Sequence, residues 1–476
     1  MKKIILGLFI ASMALISCQS DITSLNDDEK NPANVNPEYI FASAELGLMT
    51  QMTSPSVNLN IMRLFTQQWT ETQYVDESVY NLPKRRMPDN NWNILYAQLL
   101  KLEVVKSESN SIADASQRAK KIATIEALEI YIYSVLVDTY GDIPYSQAVQ
   151  VDKYPTPIYD DSKTIYADLI KRADAALALL QSNTAAGFGS NDPIFGGNTN
   201  KIKNFLNSIK LRMGLNLADV DNTLAKATVE SAFNGGVVLT NADNIGLQFA
   251  SSGQFASPVF IEMVSSGRDD YVAANTLVDV MNTKLDPRRA SYFTKVSDAL
   301  GYVGGLYGKQ NIYANFSHVN PSILKSDGFA YLFDAAEVNF MLAEAAERGY
   351  SVGGTAATYF AAAIKASMDF WGVSPADSAA YIAANNYATL PGTWKQKIGN
   401  EAWIGAYNRG FEAWEFSRRL DFRVFVKPGS RDVPTRIYYP INEGSVNGTN
   451  KANASIKQWG SVDGDVQGSK VFWDKF

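Results

Sequence analysis

Histidine and cysteine each occur once, as His318 and Cys18, in a chain of 476 residues. A zinc site ordinarily draws on two or more His or Cys ligands, and a Ser-His-Asp triad needs a histidine held by a carboxylate, so metal and triad chemistry are largely removed. His318, within Asn315-Phe316-Ser317-His318, reads as a loop residue. A lone cysteine has no partner for an internal disulfide. There is no P-loop, no dinucleotide fingerprint behind a strand and no His-Glu-x-x-His, which sets aside nucleotide enzymes and zinc proteases. Beyond Cys18 no apolar run approaches the roughly 18 residues that a spanning helix requires. Positive charge is short as well: 43 Lys and Arg against 49 Asp and Glu leave a net charge of -6. Nucleic acid is therefore not expected as a partner, and no cofactor or metal is expected.

The position of Cys18 gives it meaning. Lys2 and Lys3 precede an apolar stretch from Ile4 to Ile16, and Leu15-Ile16-Ser17-Cys18 reads as a bacterial lipoprotein cleavage site. Residues 1–17 are expected to be a signal peptide and Cys18 the lipidated first residue of the mature chain. Loss of Lys2 and Lys3 takes the net charge from -6 to about -8. The stretch 18–37 carries Asp21, Asp27, Asp28 and Glu29 among Asn and Pro, as a solvated tether would.

No low-complexity or charge-run linker divides residues 38–476, so one large folded unit is expected. Aromatic residues reach 12%, including 24 Tyr, a side chain that is half buried with ease and still offers a polar edge. Helical periodicity dominates. Ile122, Ile125, Leu128, Ile132, Val135, Leu136 and Thr139 predict a helix over 121–140, stopped by Gly141 and Pro144. A second helix is predicted over 161–180 with Asp160 as its cap, and a third over 204–218. Residues 333–348 and 355–371, separated by Gly349, Gly353 and Gly354, predict a close helix pair of the tetratricopeptide kind; one copy is equally a generic helical hairpin. From Asn222 to Tyr331 the pattern loosens into glycines and tyrosines, a turn-rich region with no long helical stripe. Binding tends to reside on such loops.

Paired carboxylates alone can hydrolyse a glycoside. Asp269-Asp270 is the most suggestive pair, but it reads better as a solvated turn, and an enzyme is not expected.

The segment Asp138-Thr139-Tyr140-Gly141-Asp142-Ile143-Pro144-Tyr145-Ser146-Gln147-Ala148 resembles a signature of the SusD/RagB family of Bacteroidetes outer-membrane lipoproteins, with Gln147 where Glu is usual. Further segments resemble the family in order: Tyr154-Pro155-x-Pro157-x-Tyr159-Asp160, Asn207 to Met213, Asp286-Pro287-Arg288, Ala336 to Ala345, Gly410 to Trp414 with Arg418-Arg419, Pro434 to Pro440 with Glu443 and Asn447, and Val471-Phe472-Trp473-Asp474. Two departures stand out. Glu401 replaces the usual Gln before Ala402-Trp403-Ile404, and Leu420-Asp421-Phe422 replaces Thr-Gly-x-Pro. They point to the branch of smaller SusD relatives.

The resemblance implies a mainly α SusD-like fold with tetratricopeptide-like helix pairs and an irregular, loop-rich ligand-binding half. It also implies a surface lipoprotein anchored in the outer membrane, lying as a lid on a SusC-like TonB-dependent transporter and binding glycans or oligosaccharides. Peptide uptake is the alternative, and a glycosidase a weaker one. Family members bind through aromatics of the N-terminal irregular region and the middle loops. Here those regions offer Trp69, Tyr74 and Tyr80, then Tyr302, Tyr307 and Tyr313, with Asp76, Arg268 and Asp269 as polar candidates. Trp92, in Trp92-x-x-x-Tyr96, is assigned to helix packing.

Overall fold

Helix Ala115–Tyr140 begins where Asp114 accepts the Gln117 amide and ends at Gly141, whose φ of 89° is closed to most L-residues. In the computed structural model, which describes residues 35–476, this helix is buried on nearly every face from Ala123 onward. An apolar helix buried all round belongs at the centre of a large core. The signal segment, Cys18 and most of the tether lie outside the described residues.

Helices make up about 53% of the structure and pack largely in sequential pairs. Pro37–Thr53 lies against Met87–Ser109, Ala115–Tyr140 against Ser162–Leu179, Thr199–Asn216 against Asn222–Gly235, and Ala335–Glu347 against Ala356–Phe370. The last is the hairpin expected from the sequence, capped by Asp334 and Thr355, with Ala343, Ala345 and Ala363 fully buried between its partners. Small side chains let the two backbones approach closely.

Two expectations need correction. Helix Ser162–Leu179 is capped by Asp161, not Asp160. Asp160 is drawn away because its carboxylate accepts the amides of Tyr145 at 3.1 Å and Ser146 at 2.8 Å. The region from Asn222 onward is not loop throughout: Asn222–Gly235 is a helix whose buried stripe, Ala225, Thr228, Val229 and Ala232, is too small and too polar to stand out as an apolar period.

Four of the family-like segments meet at the C-terminal end of the central helix. Asp138 accepts the Trp473 indole N–H at 2.8 Å and the Tyr166 hydroxyl. Arg418 reaches the Asp138 carbonyl and the Thr435 carbonyl, Arg436 donates to the Tyr140 carbonyl at 3.0 Å, and the Tyr439 hydroxyl donates to that of Asp142 at 2.6 Å. These residues satisfy the orphan carbonyls of a buried helix end. Their role is structural. Trp92 is likewise packing, its ring 5.0 Å from Tyr140 and 6.2 Å from Tyr439. At the second departure Asp421 takes φ 44° as the cap of helix Gly410–Leu420, a left-handed geometry that a glycine fills freely and that Asp tolerates better than most residues.

Strands are few. β1 (Trp69–Glu71) pairs antiparallel with β3 (Tyr271–Ala273), and β2 (Ile245–Gln248) with β4 (Phe329–Phe333). The first of these ribbons positions the candidate site.

Candidate ligand-binding surface

β1 and β3 bring the N-terminal irregular region against the middle loops, in the register Trp69↔Ala273, Thr70↔Val272 and Glu71↔Tyr271. The pairing runs on past the strands: the Thr72 amide donates to the Asp270 carbonyl at 2.9 Å and the Thr72 hydroxyl to the Asp269 carbonyl at 2.6 Å. The loop 301–319 lies along the other side of the ribbon. Asn311 donates its amide to the Thr72 carbonyl and its side-chain nitrogen to that of Glu71, while its Oδ1 accepts the Leu306 amide. Ser317 exchanges backbone hydrogen bonds with Ala273 and Val303, and its hydroxyl takes the Val303 amide. Such close threading requires Gly304, where a Cβ would stand 2.4 Å from the Asn275 Cα.

Three of the six expected rings are removed from any surface role. Trp69 is 1% exposed and gives its indole N–H to the Tyr407 hydroxyl at 3.0 Å. Tyr80 is wholly buried, its hydroxyl taking the Gln67 amide at 2.7 Å, and Tyr307 donates to the Leu64 carbonyl at 2.6 Å. Tyr80 and Tyr307 lie 6.1 Å apart, ring to ring, beneath the ribbon. Each polar tip has an internal partner, which is why these large rings can be buried. Tyr302 is half buried under the Arg289 guanidinium, and its carbonyl accepts from Asn282. It belongs to that corner of the middle region.

Tyr74 and Tyr313 are different. Tyr74 is 63% exposed and holds φ 51°, a left-handed conformation that a bulky residue adopts at a cost of about 1–3 kcal/mol. Tyr313 is half buried, and His318 stacks on it at 3.7 Å with an angle of 9° between the rings while its Nε2 meets the Tyr313 carbonyl at 2.9 Å. The imidazole fixes the plane of the phenol. Asp269 is exposed close enough to Tyr313 for its charge to help burial hold the phenol above its ordinary pKa. Arg268 is exposed but bound to Asp270 by two bonds of 2.5 and 3.1 Å, and Asp76 is held below the usual carboxylate range by its bond to Lys84 at 2.7 Å. Sequence reasoning missed Leu306 and Ile312, apolar residues 58% and 69% exposed on the same loop, and the buried polar residue Asn311 that orders it. A flat phenol, apolar side chains and fixed polar groups together suit a ligand with both C–H faces and hydroxyls.

Beneath this surface Glu71 and Glu77 face each other, both buried, with Arg85 on Glu77 at 2.9 Å. Burial and then the Glu77 carboxylate push the Glu71 acid up to about 9, so Glu71 keeps its proton at neutral pH.

The model of the family described as "Starch-binding associating with outer membrane" matches residues 29–440. The chain belongs to the SusD-like family. Solved structures agree with the fold. A chitin-binding protein matches with a TM-score of 0.81 at 23% identity, over 93% of this chain and 100% of its own. A chitin-binding SusD homolog from Flavobacterium johnsoniae matches with 0.78 at 24%, over 92% and 99%. A SusD homolog from Bacteroides uniformis ATCC 8492 matches with 0.74 at 25%, over 92% and 100%. No curated protein matches. Among the described residues there is no cluster of His, Cys, Asp and Glu suited to a metal ion, and no helix is long and apolar enough to cross a membrane.

Proposed function

We propose that this SusD-like protein is a surface nutrient-binding lipoprotein, anchored in the outer membrane through Cys18, that captures glycans without turnover and passes them to a TonB-dependent transporter. The observation that supports the glycan reading is the β1–β3 ribbon, whose flanking loops carry the exposed Tyr74, Leu306 and Ile312 and the His318-backed Tyr313 with Asp269 near it. Sugar rings offer C–H faces to phenol rings and hydroxyls to carboxylates and amides. The family's description and the chitin-binding relatives support the same class of ligand.

The anchor of the peptide alternative has an internal competitor. Arg268 would be the group to hold a peptide carboxylate, and it is already bound to Asp270 by both Nε and Nη2. A glycan array set against a peptide library tests the ligand class: selective retention of oligosaccharides is expected, and selective retention of peptides would overturn the glycan reading. Extraction in mild detergent followed by pull-down tests the partner. A much larger β-barrel protein is expected to return with this chain.

A further inference from the structure

A cavity of ≈ 210 Å³ lies where the ends of three helices meet. Asp334 caps Ala335–Glu347, Arg409 caps Gly410–Leu420, and Phe370 closes Ala356–Phe370. All three line the cavity, together with β4 residues Phe329 and Tyr331. The proposed glycan surface uses none of them.

The rings form one continuous wall. Phe329 and Tyr331 lie 4.5 Å apart, Tyr331 and Phe370 5.1 Å, and Phe370 and Trp371 5.1 Å. Phe329 is 44% exposed and Phe370 39%, so the aromatic edge reaches solvent and gives the cavity a mouth. Phe329 can lie across β2 because Gly246 has no side chain; a Cβ there would stand 2.6 Å from its ring.

The charged part of the lining is balanced. Asp334 and Glu412 carry two negative charges, and Arg409 and Arg63 two positive ones. Arg409 sits 2.7 Å from Asp334 and 3.4 Å from Glu412, and its Nε has no hydrogen-bond partner among the described residues. Arg63 is spent on Asn408 at 2.8 Å and on the carbonyls of Ser54 and Thr53. Among the lining residues neither sign is in excess, and Glu337, 2.7 Å from Arg409 just behind them, adds a third carboxyl group, so an anionic ligand gains no net Coulomb attraction there. A ligand with hydroxyls finds fixed donors and acceptors opposite an aromatic wall. The size sets a bound: an apolar cavity of about 150 Å³ holds a benzene ring. The present one has room for a single six-membered ring with its substituents.

We infer that this cavity is a second binding site, which takes one uncharged pyranose ring, such as the end of a glycan, between the Tyr331–Phe370 wall and the Asp334–Arg409–Glu412 lining. It rests on the glycan reading for the class of ligand and uses different residues.

The test uses the full-length protein and a panel of methyl glycosides of glucose, galactose, mannose, xylose and N-acetylglucosamine, with methyl glucuronide and methyl glucosaminide as charged controls. Binding is followed by calorimetry and saturation-transfer NMR. At least one neutral glycoside is expected to bind. Ala366, on the cavity lining and only partly exposed, is replaced by Trp to fill the space, and Phe370→Ala removes part of the wall. Each is expected to weaken binding of that glycoside at least tenfold, whereas Val151→Ala, at an exposed residue outside both sites, leaves it within twofold. Failure of every neutral glycoside to bind overturns the inference. So does binding untouched by both cavity variants, or a charged glycoside that binds as tightly as the neutral ones. Oligosaccharide capture that is lost with Tyr74→Ala but kept with Ala366→Trp separates the two sites: it sustains the ribbon surface whatever happens at the cavity.

Discussion

Thr72 donates its hydroxyl to the Asp269 carbonyl across 197 positions of sequence, at 2.6 Å. With the neighbouring bond from the Thr72 amide to Asp270, it extends a three-residue ribbon by one more rung, at the point where the chain turns out to solvent on both sides. Tyr74 and Asp269 are therefore held next to one rigid seam, over a packed layer of Trp69, Tyr80 and Tyr307. Loops fixed in this way lose little further entropy when they bind a ligand.

Tyr74 and Tyr313 differ from the rings below them in what their loss costs. Tyr74→Ala and Tyr313→Ala are expected to weaken glycan binding by about 0.5–1.5 kcal/mol each, the usual worth of an aromatic contact, with the melting temperature nearly unchanged. Trp69→Ala, Tyr80→Ala and Tyr307→Ala are expected to lose about 3–5 kcal/mol of stability, because each leaves a cavity in the core. Calorimetric titration and thermal melts on the five variants decide it. If both upper variants bind as the wild type does, the ribbon surface is not the site.

The difference between those two groups of rings marks the limit of what the sequence carries. Long helices such as Ala115–Tyr140 were legible, since their apolar period repeats over several turns and their stops are glycine and proline. The ribbon was not, because strands of three residues carry no period and their partners lie some 200 positions away. A tyrosine's burial depends on whether its hydroxyl finds a partner, and Gln67 for Tyr80 or the Leu64 carbonyl for Tyr307 becomes visible only in three dimensions. Several of the family-like segments identified the fold while describing a helix end, as the contacts of Asp138, Arg418 and Arg436 make plain.

Cys18→Ala is expected to release the protein from the membrane fraction. Cys18 lies outside the described residues, and the expectation rests on the cut site Leu15-Ile16-Ser17-Cys18. One acyl chain alone binds a bilayer only marginally, so stable anchoring needs several chains on this cysteine. Fractionation of cells that express the variant checks it, and unchanged membrane association would sink the lipid anchor.

Stability is expected to fall as pH rises, through Glu71. In the unfolded chain this acid loses its proton near pH 4.3, as glutamate ordinarily does, whereas in the fold it holds the proton up to about 9. Between those values the native state binds a proton that the unfolded state has released, so the contribution is complete below about pH 4 and drains away towards pH 9. A glutamine mimics the protonated acid, for it can still accept the Ser78 amide, as Glu71 does at 2.9 Å, and can donate to Glu77. Glu71→Gln is therefore expected to melt higher than the wild type at pH 8 and to show a shallower decline from pH 5 to 9. Parallel melting curves for the two proteins would contradict this protonation state.

Glu401 reads in the sequence as a departure from the Gln usual in the family it resembles, and its surroundings suit a carboxylate. It is fully buried, with Oε2 3.1 Å from Arg288 Nη2 and Oε1 2.8 Å from Lys284 Nζ and 3.0 Å from the Tyr381 hydroxyl. Arg288 is also gripped by Asp286 through two bonds of 3.0 and 2.6 Å. The cluster thus balances two cations against two carboxylates. A glutamine at 401 keeps a hydrogen-bond acceptor for Arg288, which retains Asp286 as its counter-charge, but it strips Lys284 of a charge partner. Lys284 is 21% exposed at its side chain, so water recovers part of the loss. Removing one member of a fully buried pair costs about 3–5 kcal/mol. Glu401→Gln is expected to cost less, about 1–3 kcal/mol, since hydrogen bonds to charged groups contribute on that order. Lys284→Met in the Glu401→Gln background is expected to restore a large share, because the orphaned cation is then gone. A double-mutant cycle read by chemical denaturation measures the coupling. Residues in one ion-pair network couple by about 0.5–3 kcal/mol, and additive single effects would show that Lys284 does not set the charge required at Glu401.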